Sequence, residues 1–188
     1  MHSAVYKLNK YDNLVFIRVP SSEHSISLVK SFDFKKINGI IIDSNYDVDS
    51  DNLDIAITVS EIDRYLRNVI YEGEPLRNKI NLLASSKRNR GAYDVFKLIS
   101  LGADAVGLSD SALISIGYNS VKKFDTEKAR EKLEYFILGL QKELRLLAGA
   151  AGFNSISSTL TGNHELLRSV DLDPLIRKRL NVKPGGAP

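Results

Sequence analysis

The sequence predicts an α/β protein built on a parallel sheet of about four β/α units, followed by a helical extension. Short apolar runs alternate with amphipathic helical stretches along the first two thirds of the chain. Those runs are continuously apolar, as strands buried on both faces of a parallel sheet are. The last third contains no such run and reads as helices instead.

The elements follow in order. Leu14 to Val19 is an apolar run ended by Pro20 and reads as the first strand. Ser25 to Phe32 suits a short helix. Gly39 to Ile42 is a second, β-branched strand, and Ser44 to Asn52 is a polar, acidic loop. Ser60 to Tyr71 has Ile62, Tyr65, Leu66, Val69 and Ile70 on one helical face, with Ser60 and Asp63 spaced like a capping pair. Gly73-Glu74-Pro75 breaks that helix. Lys79 to Ala84 is a third strand, Ser85 to Arg90 a polar turn, and Tyr93 to Leu101 a helix stopped by Gly102. Ala105 to Leu108 is the fourth strand, running through a sharp turn into another helix.

Beyond residue 122 the character changes. Asp125 or Thr126 is expected to cap a long helix from Glu127 to about Ala150, with an apolar stripe of Ala129, Leu133, Phe136, Ile137, Leu140, Leu144 and Leu147. Leu166 to Leu180 is a weaker helical region broken near Pro174, and Lys183 to Pro188 a flexible tail. The expected division is a β/α region over residues 1–122 and a helical extension with its tail over 123–188.

Composition narrows the function. The 188 residues are 43% hydrophobic and 26% charged, an ordinary globular balance. No apolar run reaches the roughly 18 residues of a membrane span. Met1 to Asn13 lacks the apolar core of a signal peptide, so a cytoplasmic location is expected. There is no cysteine, which excludes disulfides, thiolate nucleophiles and a cysteine-ligated iron–sulfur cluster held by this chain. His2, His24 and His164 lack metal-ligand spacing, so no metal site is expected, and surface or capping roles suit His24 and His164. Asp47, Asp49 and Asp51 alternate like a calcium loop, but Asn52 and Thr58 replace its required glycine and glutamate. A net charge of +3 permits contact with nucleic acid without implying it.

The segment from Gly102 to Gly117, Gly-Ala-Asp-Ala-Val-Gly-Leu-Ser-Asp-Ser-Ala-Leu-Ile-Ser-Ile-Gly, resembles the motif G-A-D-A-V-G-x-G-T-A-A-L-I-A-x-G-C of the FMN-binding barrel domain of glutamate synthase. The register fits from Ser86 to Tyr118 without gaps. Asp94-Val95 and Leu101-Gly102 match the preceding helix and its end, and Glu165-Leu166-Leu167 resembles a post-barrel segment. The resemblance runs from about residue 35 to 182. It implies the C-terminal half of a (β/α)8 barrel, with a helical extension, in a family whose FMN-dependent chemistry makes glutamate.

The expected site departs from the family at several positions. The family's phosphate-binding glycine pair corresponds to Lys87-Arg88, and its glycine–threonine to Ser109-Asp110. Asp110 is expected to cap the following helix, taking amides that a phosphate would need. Lys87, Arg88 and Arg90 form the densest basic cluster and could offset that repulsion. The family's lysine on its fifth strand aligns with Arg18, which at a barrel strand could meet an anion or a loop aspartate. The glycine-rich loop is replaced by Ser44 to Ser50, and the family cysteine by Tyr118. The positions implied for a flavin are therefore Arg18, Lys87, Arg88, Arg90, Ser109 and Asp110.

Four strands leave two open edges. Two copies could close a barrel, a partner subunit could supply the other half, or the C-terminal helices could cover the sheet. Core positions kept beside exchanged ligand positions suit a degenerate, non-catalytic scaffold or regulatory subunit. The alternatives are a half-barrel subunit of an FMN-dependent oxidoreductase, and an RNA- or anion-binding module using Lys87 to Arg90 and Arg177 to Arg179. The last triplet otherwise reads as a solvated helix face.

Overall fold

The computed structural model describes residues 14–45, 54–119, 125–156 and 160–187. The aspartates of the calcium-like spacing, Asp47, Asp49 and Asp51, lie outside the described residues, as does the polar N-terminal stretch Met1 to Asn13.

Four parallel strands form the sheet: β1 (Phe16–Pro20), β2 (Gly39–Asp43), β5 (Asn81–Ser85) and β6 (Ala105–Gly107), in the order β1-β2-β5-β6. Each strand thus pairs with its predecessor in the sheet, and helices α1 (Ser25–Lys30), α2 (Ile55–Asn68) and α3 (Ala92–Ser100) run between them. A tiny hairpin, β3 (Ile70–Tyr71) with β4 (Glu74–Pro75), follows α2, and α4 (Ser109–Ser115) follows β6. This single winding, with one helix after each strand, is consistent with part of a (β/α) barrel wall.

Successive side chains of the strands point to two different environments. Val19, Ile40, Ile42, Leu82 and Ala84 point to the helical layer and are fully buried. There they meet Val29 of α1, Ile62 and Leu66 of α2, and Leu98 of α3. Each large aliphatic side chain removed from water contributes roughly 1.5–3 kcal/mol. The opposite face carries Phe16, Ile41, Leu83 and Ala105, none of them fully buried. The continuously apolar runs predicted burial on both faces; among the described residues only one face is covered.

Phe16 explains a glycine on the uncovered face. A Cβ at Gly39 would run into the Phe16 ring and lie 2.6 Å from the Asn81 carbonyl oxygen. Pro20, expected to end β1, is its last residue. Hydrogen bonds from the Asn38 amide to the Val15 carbonyl and from the Ser21 amide to the Asp43 carbonyl turn odd-numbered positions toward β2. The missing proline N–H therefore falls on the sheet edge, where it costs no ladder bond.

Helix α2 begins five residues before the predicted Ser60. Asp54 caps it, its Oδ1 accepting from the Ala56 amide at 2.8 Å. Ser60 and Asp63, expected as a capping pair, both lie inside the helix and are buried. Asp63 anchors a salt-bridge network at the amino end of the sheet. Its Oδ1 accepts from Arg77 Nε at 2.7 Å and its Oδ2 from Arg67 Nε at 2.6 Å. Arg77 also donates to the carbonyls of Ile80 and Gly102 and to Asp104 Oδ1, while Asp104 Oδ2 receives the Leu82 amide. One guanidinium thus ties α2 to the starts of β5 and β6. Burial opposes the charge on Arg77, but hydrogen bonds to Asp104 and Asp63 outweigh it and raise its pKa. Gly102 adopts a left-handed φ of +121°, and a Cβ there would collide with Asp63. The Leu101-Gly102 pair of the sequence motif is thus a packing requirement of this network.

The long helix is α5 (Thr126–Ala150), capped by Asp125, whose Oδ1 accepts from the Lys128 amide at 3.2 Å. It packs on α3 and α4, outside the sheet. The region from Leu166 is a correction: Pro174 does not break a helix but opens one, α6 (Pro174–Leu180), with Asp173 as its cap. Proline suits a first helical position because the N–H it lacks has no partner there. The tail is not free either: Lys183–Pro184 (β8) pairs in parallel with Arg168–Ser169 (β7). Helix α6 lies on α2, where Ser60 Oγ donates to the Leu180 carbonyl at 3.0 Å. His164 Nδ1 lies 2.9 Å from the same carbonyl oxygen. Arg179, expected on a solvated face, instead bridges Glu61 of α2 and Glu23 beside α1, with contacts of 2.7 Å to each. Hydrogen bonding to Glu61 and Glu23 drives its pKa up, and the bond from Arg179 lowers that of Glu23.

Candidate functional site

The carboxyl ends of parallel strands gather the loops from which α/β proteins usually build their sites. Among the described residues those loops include 21–24, 44–45, 86–91 and the β6–α4 turn. Every residue expected at the site lies at this end or on a strand leading to it. Lys87, Arg88 and Arg90 are exposed on the β5–α3 loop, Ser109 and Asp110 open α4, and Arg18 lies on β1.

Half of the Arg18 side chain is exposed, and its Nη2 pairs with the buried carboxylate of Asp43 on the next strand. Both residues sit on the face away from the helices, because Arg18 pairs in register with Ile41 and Asp43 with Pro20. The expected partner was an anion or a loop aspartate; the observed one is the last residue of β2.

Asp110 does not cap α4. Leu108 occupies the cap position without a side-chain bond, and Asp110 stands in the first turn. It places negative charge at the helix start, which the helix dipole favours and which a phosphate would meet as repulsion.

The amides of the loops are bonded to the chain's own side chains. The Lys87 amide donates to Asn45 Oδ1 at 2.8 Å, the Arg88 amide to Ser86 Oγ at 3.1 Å, and the Arg90 amide to Asp94 Oδ2 at 2.9 Å. The Asn45 amide in turn donates to Asp43 Oδ1 at 2.8 Å, and the Ser22 amide to Ser25 Oγ at 2.9 Å. Asn89, almost fully buried, donates from Nδ2 to the Gly107 carbonyl at 2.9 Å, and its own carbonyl accepts from Ser111 Oγ. Asn89 therefore staples the β5 loop to β6 and α4. Every buried side-chain nitrogen or oxygen among the described residues has a partner.

A polar cleft of about 320 Å³ opens between these loops, lined by Ser44, Asp54, Ser86, Arg88, Asp94 and Lys97 among others. Its two acids offset its two bases, so the lining has no net pull on an anion. A flavin phosphate needs free backbone donors and a net positive environment. The residues present do not fit it: five loop amides are spent internally, and carboxylates stand at the starts of α3 and α4.

Sequence reasoning missed Asp43, Asn45, Asn89 and Ser111, the residues that satisfy this edge from within. Asp43 and Asn45, at the end of the apolar run of β2, carried a visible signal, but the bonds that Arg18, Lys87 and Gly107 make to Asp43, Asn45 and Asn89 join residues distant in sequence. The Asn45–Lys87 bond, for example, joins positions 42 residues apart.

No family model matches the chain. Similar proteins carry one name. The archaeal glutamate synthase [NADPH] of Methanocaldococcus jannaschii is 34% identical over 70% of this chain and 28% of its own length. The archaeal-type glutamate synthase [NADPH] of Dehalococcoides mccartyi is 30% identical over 73% of this chain and 30% of its own length. The archaeal glutamate synthase [NADPH] of Archaeoglobus fulgidus is 28% identical over the same shares. The chain therefore spans less than a third of the length of these relatives. Over about 70% of its residues, this α/β chain is a relative of the archaeal-type glutamate synthases.

Proposed function

We propose that the chain is a glutamate synthase-like barrel wall acting as a non-catalytic scaffold or regulatory subunit. The observation that carries this is the internal satisfaction of the carboxyl edge: the Lys87, Arg88 and Arg90 amides are bonded to Asn45, Ser86 and Asp94. A phosphate would have to displace three hydrogen bonds, each worth about 0.5–1.5 kcal/mol net, while approaching Asp94 and Asp110. The relatives' name and the single-wound sheet support descent from such a wall; the exchanged loops support loss of the flavin. In this proposal residues 1–122 are the wall and 123–188 a helical extension that braces its outer side.

A second reading keeps the flavin: the chain is half of a working FMN-dependent oxidoreductase site completed by further strands. The exposed side chains of Lys87, Arg88 and Arg90 and the half-exposed Arg18 favour it, since all four belong to one end of the sheet. Equilibrium titration with FMN, read by flavin fluorescence, separates the two. The scaffold proposal expects no saturation up to millimolar flavin. Saturable binding of one flavin per chain, lost on Lys87→Ala/Arg88→Ala exchange, overturns it.

A further inference from the structure

Among the described residues the helices cover one face of the sheet, and no element covers the other. Across that bare face run three rows fixed by the strand register: Phe16, Gly39 and Asn81; Arg18, Ile41, Leu83 and Ala105; Pro20, Asp43, Ser85 and Gly107. The middle row is mostly apolar, yet Ile41 and Leu83 are only half-buried and Ala105 is exposed. Helices α5 and α6 pack on the outer helical layer, so they are not its cover. The sheet also ends in two strands without an outer neighbour among the described residues. On β1 the odd positions face β2, which directs the backbone of Phe16 and Arg18 outward. The odd positions of β5 bond to β2, so its pairing of Leu83 with Ala105 and Ser85 with Gly107 turns Ala105 and Gly107 toward β5 and directs the backbone of Val106 outward.

We propose that a second copy of this chain covers this face, closing an eight-stranded parallel barrel between the two; this rests on the barrel-wall reading above. A two-fold axis along the barrel places β6 of each copy beside β1 of the other. Both new junctions are parallel and keep all helices outside, like every step the sheet already takes. Four strands and a two-fold rotation give the eight of a closed (β/α) barrel, and cyclic dimers are the commonest closed assemblies. The charge on the bare face suits a copy of itself. Its charged residues are Arg18 and Asp43, one of each sign and already paired, so two such faces meet without like-charge repulsion. Closure buries the row of Ile41, Leu83 and Ala105 and pairs the open edges, removing two association hazards at once.

Sedimentation equilibrium of the whole chain at micromolar concentration tests the proposal. The expected species has twice the chain mass, and Leu83→Glu returns it to the monomer with its far-UV circular dichroism retained. Should that variant fail to fold, hydrogen exchange of the unaltered dimer decides: the amides of Phe16 and Val106 are expected to be as protected as those of β2. A wild-type monomer, a folded Leu83→Glu dimer, or unprotected edge amides in the dimer overturns the proposal. Flavin titration keeps the two ideas separable. A dimer that binds flavin overturns the scaffold role and leaves the closure standing; a monomer without flavin does the reverse.

Discussion

Replacing Arg77 with methionine removes a guanidinium whose side chain is only 9% exposed and leaves the Asp63 carboxylate, 1% exposed, with Arg67 alone. The substitution deletes bonds to Asp63, Asp104 and the Ile80 and Gly102 carbonyls together. Breaking a buried pair by removing one partner costs about 3–5 kcal/mol, because the remaining charge stays desolvated. Two features place this site at the lower end. Arg67 still reaches Asp63, and Asp104, about a third exposed, can turn to water. We expect a loss of about 3 kcal/mol, which for a domain of this size lowers Tm by roughly 6–12 °C. Urea unfolding followed by far-UV circular dichroism reads the change, with Arg130→Met as the control. Arg130 and its partner Glu127 are both largely exposed, so the control should lose less than about 1 kcal/mol. Equal losses for the two variants, or less than about 1 kcal/mol for Arg77→Met, would refute the reasoning that α2 is locked to the sheet through this network.

Other outcomes follow from the same geometry. Gly102→Ala should cost more than about 2 kcal/mol in the same urea assay, since it adds left-handed strain and a clash with Asp63. Arg179→Met should free α6 from α1 and α2, raising hydrogen exchange in Pro174–Leu180 while β2 and β5 stay protected. Acid should weaken the same clamp. The pKa of Glu23 is lowered in the folded chain by the hydrogen bond from Arg179, so its stabilisation is present above its ordinary value of 4.5 and lost as pH falls through the folded value. Comparing wild type and Glu23→Gln across acid pH by thermal melting should show their difference vanish at the acid end. Asn89→Ala should unpin the β5 loop and expose the Gly107 carbonyl, at about 1–3 kcal/mol.

Much of the fold was legible because it depends on local pattern. Apolar runs marked all four strands to within two residues at most of their ends, and the cap of the long helix was narrowed to Asp125 or Thr126 from their place before a helical stripe, of which Asp125 is the one observed. The failures share a cause. Ser60 and Asp63 looked like a capping pair because spacing alone cannot reveal that α6 will receive one and two arginines the other. Pro174 looked like a break because a proline that starts a helix and one that ends it differ only in what flanks them. Asp110 looked like a cap because the turn before α4 was read two residues too late.

The site divides in the same way. Sequence placed Lys87, Arg88, Arg90, Ser109 and Asp110 at the carboxyl end of the sheet, because strand and helix order decide which end a loop occupies. It could not place Asn45 on the Lys87 amide, Asp43 on Arg18, or Asn89 between β5 and β6, for these bonds join residues brought together only by strand pairing. By itself the sequence determined the parallel β/α succession, the lack of any cysteine ligand and the kinship with the archaeal-type glutamate synthases. Only the tertiary structure decided that, among the described residues, one face of the sheet lacks a cover and that the loop amides are already bonded. Periodicity reports that a side chain avoids water, whereas which surface covers it, and which donor an acceptor meets, is fixed by packing.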